Sequence, residues 1–259
     1  MPELPEVETL CRQLRSKILS SRIAGMSILD SRLQLPEHVK GQRVSSVTRR
    51  GKWIVIGLDD GKRLEIHLRM TGRLLWQEKE ATLPMHCRLV FDLCSHQVVI
   101  VDPRRFATLS LVAGGEGPDG AVDALAPGCA ETLIAKACKR RRPLKSFLMD
   151  QGIIRGIGNI YACEILYRTG LSPRRETAGL SPDDWRNVEK AIGAVLKKAI
   201  DCRGTSISDW RDLFGNKGEY QKELLVYGRE GQKCPRCGER VHRERLLGRG
   251  TWFCPGCQM

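Results

Sequence analysis

The pattern Cys234-x2-Cys237, sixteen intervening residues, then Cys254-x2-Cys257 constrains the fold of this chain more than any other feature. Two such knuckles each offer a pair of thiolates from a tight turn, the spacing of a closed tetrahedral zinc site, and the residues between them allow a short antiparallel hairpin. Two redox-active Cys-x2-Cys pairs are the competing reading, but neither pair sits at the start of a helix that follows a strand. Four thiolates leave no open coordination position, so the expectation is one structural Zn2+ in a ribbon held by Cys234, Cys237, Cys254 and Cys257. Its function then lies at the hairpin tip, Leu247-Gly248-Arg249-Gly250-Thr251, where flanking glycines present Arg249, a side chain suited to a phosphate. The other seven cysteines (Cys11, Cys87, Cys94, Cys129, Cys138, Cys163 and Cys202) are scattered without pairing logic, as in a reducing cytoplasm.

The partner class follows from charge. With 43 Lys and Arg against 30 Asp and Glu, the net charge is +13 and the isoelectric point about 9.4, which favours a polyanion. Nucleic acid is the leading candidate; a membrane partner would need an apolar span of about 18 residues or a basic amphipathic helix, and neither the span nor a signal peptide is present. The protein is expected to be soluble and intracellular. At 259 residues the chain fits one large domain or two small ones.

Three regions follow one another. Val7, Leu10, Cys11, Leu14 and Ile18 recur at helical spacing near the N-terminus. From about 22 to 112 the pattern is strand-rich: 52–58 and 63–68 form a hairpin across Asp59-Asp60-Gly61, and 87–93 pairs with 98–102, implying a sandwich or barrel. A turn-rich linker spans 113–130, and helices follow. Ser181-Pro182-Asp183-Asp184 is a helix start, with Trp185, Val188, Ile192, Val195 and Leu196 on one face. The glycine-rich turn before Asn159 opens another helix, stopped by Gly170, whose N-terminal amides suit a phosphate. The basic run 139–142 with Lys145 adds to that positive surface.

The first residues carry chemistry. Were Met1 removed, Pro2 would offer a secondary amine beside the carboxylate of Glu3. Such an amine can displace a leaving group from an electrophilic carbon to give an iminium directly. An α-amino group titrates near ~7.7–8.0, so a useful fraction is neutral at cellular pH.

These elements together resemble the bacterial formamidopyrimidine-DNA glycosylases, bifunctional repair enzymes that remove oxidised purines and cut the strand at the resulting abasic site. The matching strings are Pro-Glu-Leu-Pro-Glu-Val-Glu-Thr from Pro2, Arg49-Arg50-Gly51-Lys52, His67-Leu-Arg-Met70-Thr-Gly, Asp102-Pro-Arg104-Arg105-Phe106, Gly156-Ile-Gly-Asn159-Ile-Tyr, Val226-Tyr227-Gly228-Arg229 and the ribbon. The resemblance implies an α+β fold: an N-terminal β-sandwich with flanking helices (2–112), a linker (113–130), a helix-two-turn-helix domain (131–222) and a four-cysteine zinc ribbon (223–259), with DNA in the cleft between the halves. It implies Pro2 as Schiff-base nucleophile, Glu3 as acid/base, Lys52 and Arg249 as further catalytic, phosphate-binding cations, and His67, Asn159 and Lys145 at the lesion and its phosphates. Met70, Arg104 and Phe106 are the implied wedge, consistent with the need to extrude a stacked base. The implied activity is excision of 8-oxoguanine and formamidopyrimidines from damaged double-stranded DNA by a monomer, then β,δ-elimination.

Two features depart from the family or leave it open. Residues 121–130 lack the Gly-Pro-Glu-Pro-Leu string expected between the domains, and 211–220 lies where the family has its lesion-capping loop. An endonuclease VIII-like enzyme acting on oxidised pyrimidines is the nearest alternative; Leu4 in place of glycine and the complete Met70, Arg104 and Phe106 set argue against it. A non-catalytic zinc-ribbon DNA-binding protein is the alternative of another class, and retention of Pro2, Glu3 and Lys52 argues against that.

Overall fold

The computed structural model describes residues 1–33, 39–113, 120–138 and 141–259. It divides into two compact units: 1–117 with 202–219, and 118–201 with 220–259. Residues 114–119 of the expected linker and 139–140 of the basic run lie outside the described residues.

The first unit begins with helix α1 (Leu4–Ile18), whose predicted apolar face, Val7, Leu10, Cys11, Leu14 and Ile18, is buried throughout. Eight strands follow: β1 (Gly25–Ile28), β2 (Val44–Arg50), β3 (Trp53–Leu58), β4 (Arg63–His67), β5 (Arg73–Glu78), β6 (Cys87–Leu93), β7 (His96–Val101) and β8 (Thr108–Val112). They form two four-stranded antiparallel sheets, β1-β6-β7-β5 and β2-β3-β4-β8. Alternate residues of each, such as Ile54, Ile56, Leu64 and Ile66 of one and Leu74, Leu89, Phe91, Val98 and Ile100 of the other, share a single core with α1. That is the expected β-sandwich with a flanking helix.

Both predicted hairpins form, with shifted ends. The Asp59-Asp60-Gly61 turn closes β3 on β4, with Asp60 accepting the Lys62 N–H at 3.0 Å. The β6–β7 turn is tighter than the pattern suggests: His96 and Gln97 already pair with Leu93 and Asp92, and the His96 ring stacks on Trp76 with centroids 4.8 Å apart. Lys52 lies in a two-residue turn between β2 and β3 rather than at the start of a strand, since Arg50 pairs with Trp53. Gly51, at φ 59°, takes the first turn position, where this kind of hairpin needs glycine.

The second unit contains the short parallel pair β9 (Val122–Asp123) and β10 (Ile154–Arg155), helices α2 (Cys129–Ala137), α3 (Leu144–Leu148), α4 (Asn159–Thr169) and α5 (Pro182–Asp201), and a C-terminal hairpin of β11 (His242–Leu246) and β12 (Arg249–Phe253). Gly170 ends α4 in the left-handed conformation, as the sequence anticipates. Helix α5 starts on a capping box: the Asp184 N–H donates to Ser181 Oγ at 3.1 Å, and the Ser181 N–H donates to Asp184 Oδ2 at 2.9 Å. Trp185 then packs on Phe147 of α3.

Residues 202–219, which the sequence places inside the helical stretch, pack with the first unit. The cause is apolar anchoring: Trp210 and Leu213 belong to the sandwich core. No helix of the described residues is long and apolar enough to cross a membrane.

The capping box of α5 yields a stability prediction. Ser181→Ala, which removes the acceptor for the Asp184 N–H, lowers unfolding free energy by about 1 kcal/mol. Urea titration checks this, and an unchanged midpoint and slope would contradict it.

Candidate active site and metal centre

In the first unit, Pro2 is buried directly ahead of α1, and Glu3 is the N-cap, 3% exposed. The Glu3 backbone N–H donates to Glu6 Oε2 at 2.8 Å, while Glu6 Oε1 accepts the Thr205 N–H at 2.7 Å. Both oxygens of a carboxylate that is 2% exposed are thereby used to fix the start of the helix. Gly204, at φ 81°, is required here: a Cβ on it would come within 2.6 Å of Glu6 Oε1. Sequence reading missed Glu6, which looks like an ordinary acidic residue in a first helical turn.

Lys52 is buried in its hairpin turn, which Arg49 braces through Gly51 O at 3.1 Å and Glu8 at 3.1 Å. Its charge reaches His67 at the end of β4. Burial, aided by the charges of Arg69 and Lys52, depresses the His67 pKa to about 4, so the ring is neutral at pH 7. The Arg69 backbone N–H donates to Nδ1 at 3.0 Å, which leaves the ring proton on Nε2, a neutral donor for an anionic oxygen. The Trp53 ring meets His67 edge-on.

The three wedge candidates come together on the surface. Met70 and Phe106 are 51% and 45% exposed, and Arg104 joins them, its Nη1 3.6 Å from Met70 Sδ and its guanidinium 4.7 Å from the centre of the Phe106 ring. Met70 and Phe106 are therefore not core residues. Beneath them lies a buried ionic base that the sequence did not reveal. Asp102, 1% exposed, accepts the N–H groups of Arg104, Phe106 and Ala107 and, at 2.5 Å, the Thr71 hydroxyl. Burial alone would push this carboxyl up, but those hydrogen bonds bring it below the usual carboxylate range. Arg88, 3% exposed, bridges Asp102, Asp30 and Ala107 O, and Arg105 closes on Asp30, whose pKa is held well down chiefly by that guanidinium.

In the second unit, Lys145 is buried rather than presented. Its ammonium donates to Asn159 Oδ1 at 2.7 Å, Thr251 Oγ1 at 2.8 Å and Gly250 O at 2.9 Å, and Asn159 Nδ2 reaches the same carbonyl at 3.0 Å. Thus α3, the start of α4 and the ribbon hairpin are locked together. Arg249 stays exposed, the first residue after the Leu247-Gly248 turn, whose two residues both have positive φ. Gly250 serves packing: a Cβ there would press on the Trp252 ring at 3.0 Å. A cleft of about 270 Å³ lies beside this lock, with Arg142, Lys145 and Arg249 among its walls.

The four ribbon thiols sit as a zinc ion requires. Their Sγ atoms all lie within 4.8 Å of one another, with Cys237–Cys254 at 3.4 Å and Cys234–Cys257 at 3.8 Å. A tetrahedron with Zn–S bonds of ~2.3 Å has S···S edges of about 3.8 Å. The Tyr167 hydroxyl, 3.2 Å from Cys234 Sγ, supports that ligand from outside the site. Glu164 of α4, fully buried, accepts the N–H groups of Leu225, Val226 and Tyr227 at 2.8–3.0 Å and so fixes the chain entering the ribbon. Burial pushes its carboxyl up against the effect of these bonds.

Comparison with known proteins places this architecture. Residues 1–109 match the formamidopyrimidine-DNA glycosylase N-terminal domain, 117–210 the formamidopyrimidine-DNA glycosylase H2TH domain, and 231–258 a zinc finger found in FPG and IleRS. The formamidopyrimidine-DNA glycosylase of Carboxydothermus hydrogenoformans is 40% identical over 265 residues, covering 100% of both chains. The chain belongs to the formamidopyrimidine-DNA glycosylase family. Its activity class is accordingly that of a DNA glycosylase in DNA repair, with lyase activity part of the family, and its ribbon is a zinc finger built for one structural zinc. The Chloroflexus aggregans enzyme is 38% identical over 275 residues, covering 100% of this chain and 99% of its own. Among solved structures, a Lactococcus lactis FPG point mutant in complex with Fapy-dG-containing DNA shares 30% identity with a TM-score of 0.91 over 100% of both chains. The Lactococcus lactis Fpg with abasic-site DNA gives 0.89 over 99% of both.

Two outcomes follow from the geometry. Purified protein carries one zinc per chain, and stripping it abolishes amide-exchange protection in 242–253 while leaving β2–β8 protected; persistent hairpin protection without metal would contradict a structural ion. For His67, the folded pKa of about 4 lies below the ordinary 6.5, so the unfolded chain binds the proton first. Stability from this residue is present above pH 6.5 and is lost as pH falls towards 4. The Tm of His67→Gln therefore declines less than that of the wild type between those pH values, and parallel declines would contradict a buried neutral ring.

Proposed function

We propose that this protein excises oxidised purines, 8-oxoguanine and formamidopyrimidines, from damaged double-stranded DNA through a Schiff base on Pro2, then cuts the strand by β- and δ-elimination. The observation that carries the reading is the fixed start of α1, where the buried Glu3 side chain stands beside Pro2 and Glu6 accepts the Glu3 N–H. After removal of Met1, the Pro2 nitrogen attacks C1′ of the damaged nucleotide and the glycosidic bond breaks, the proton shed by the nitrogen leaving with the base; Glu3, acting as the acid, then protonates the sugar ring oxygen as the C1′–O4′ bond opens to the iminium. The resulting iminium acidifies the C2′ protons; loss of one expels the 3′ phosphate, and a second elimination expels the 5′ phosphate.

In this reading Lys52, His67, Asn159 and Arg249 take the phosphates around the lesion, and His67 does so as a neutral Nε2–H donor. Met70, Arg104 and Phe106 fill the space of the extruded base, consistent with their exposure on a rigid base. Lys145 acts from beneath by holding Asn159 and the Arg249 hairpin. The loop 211–220 covers the extruded base. The domain assignment is a catalytic sandwich over 2–112, a linker over 113–130, a helix-two-turn-helix domain within 131–222, of which 202–219 packs with the sandwich, and a zinc ribbon over 223–259. The protein acts as a cytoplasmic monomer on the nucleoid.

The reading is tested on duplexes carrying 8-oxoguanine, a formamidopyrimidine or an oxidised pyrimidine. The last is included because the Lactococcus lactis enzyme has been solved with oxidised-pyrimidine DNA. Release of the purine lesions and a one-nucleotide gap flanked by phosphates is expected, with binding that weakens steeply in salt. Preference for the pyrimidine would move the activity to the endonuclease VIII side, and binding without excision of any lesion would leave a DNA-binding protein.

A further inference from the structure

The loop 211–220 is fastened to α1 by one side chain that the reaction scheme does not use. Gln13 Nε2 donates to Asp212 Oδ2 at 2.9 Å, and Gln13 Oε1 accepts the Leu213 N–H at 2.9 Å, so one amide clasps both residues in register. The other oxygen of Asp212 accepts the N–H groups of Phe214 at 3.0 Å and Asn216 at 2.8 Å. Leu213 O accepts the Trp76 N–H of edge strand β5 at 2.9 Å, and the Leu213 side chain is fully buried. On this base Phe214, Gly215, Asn216 and Lys217 are exposed, while Gly218 returns to the interior against Gly204, where a Cβ would come within 2.3 Å of a carbonyl oxygen. The tip is thus short, solvent-facing and closed at both ends.

We propose that Gln13 is a positioning residue for lesion recognition: by clasping Asp212 and Leu213 it holds the Phe214–Lys217 tip in the shape that covers the extruded base. The inference rests on the loop's role in the proposed function. A glutamine suits the task because it offers one donor and one acceptor in a fixed plane, matching a carboxylate and an N–H that sit side by side. Glycosidic cleavage needs the base held, whereas elimination at an abasic site has no base to hold. The clasp therefore acts on excision and spares the lyase step.

The test exploits the polarity of the amide. Gln13→Glu sets a carboxylate against Asp212, and adding Asp212→Asn restores a donor–acceptor pair while keeping an acceptor for Phe214 and Asn216. In the full-length zinc-loaded enzyme, Gln13→Glu is expected to slow single-turnover 8-oxoguanine release about tenfold, as loss of a buried polar contact does, with cleavage at a preformed abasic site within about twofold of wild type. The double variant recovers excision. Hydrogen exchange at the Leu213 and Asn216 amides rises in Gln13→Glu and returns in the double variant. Unchanged exchange and unchanged excision overturn the proposal, and so does an equal fall in both activities, which marks a general folding defect. If wild-type enzyme cuts abasic sites but releases no damaged base, the lesion-covering role falls with it; if it does neither, the proposed function itself fails.

Discussion

A carboxylate buried at the first turn of α1 sets the geometry on which the rest depends. Glu6 accepts the Glu3 N–H with one oxygen and the Thr205 N–H with the other. It thereby fixes the helix start and ties it to Thr205. An N-terminus is ordinarily free to fray. Here Pro2 and Glu3 are buried. The alternative, a carboxylate without partners at that depth, would cost far more than the bonds now return.

The same device recurs at three other segments. Asp102 gathers the N–H groups under Arg104 and Phe106, Glu164 gathers those leading into the zinc ribbon, and Asp212 gathers those of the 214–216 tip. A carboxylate offers several lone pairs at one point, so it can fix a loop that has no sheet partner. Exposed side chains on such a base lose little further freedom on binding, which is the physical meaning of preorganisation at a site. Lys145 is the cationic counterpart: it gathers oxygens from Asn159, Gly250 and Thr251 where the carboxylates gather N–H groups.

Much of this was legible in the sequence because it rests on local rules. The face of α1, the capping box at Ser181, the Gly170 stop and the four cysteine ligands each depend on residues close in the chain, and each is found where the pattern puts it. What the pattern could not show depends on pairs far apart. Gln13 and Asp212, or Asp30 and Arg88, are ordinary polar residues until the fold joins them, and a buried Glu164 has the same letter as a solvated one. The packing of 202–219 is of this kind too, decided by two apolar side chains within a polar stretch. Lys145 illustrates the limit on the site itself, since the sequence identifies a cation near a glycine-rich turn but not that its charge is spent inward.

The central claim is that the nitrogen fixed at the start of α1 is the group that reacts. Borohydride reduction during turnover on 8-oxoguanine DNA, followed by mass spectrometry of the DNA-linked peptide, addresses it most directly. The account predicts one adduct on the Pro2 nitrogen, in a peptide that has lost Met1. An adduct on Lys52 or another lysine, or turnover that leaves Pro2 unmodified, would contradict it.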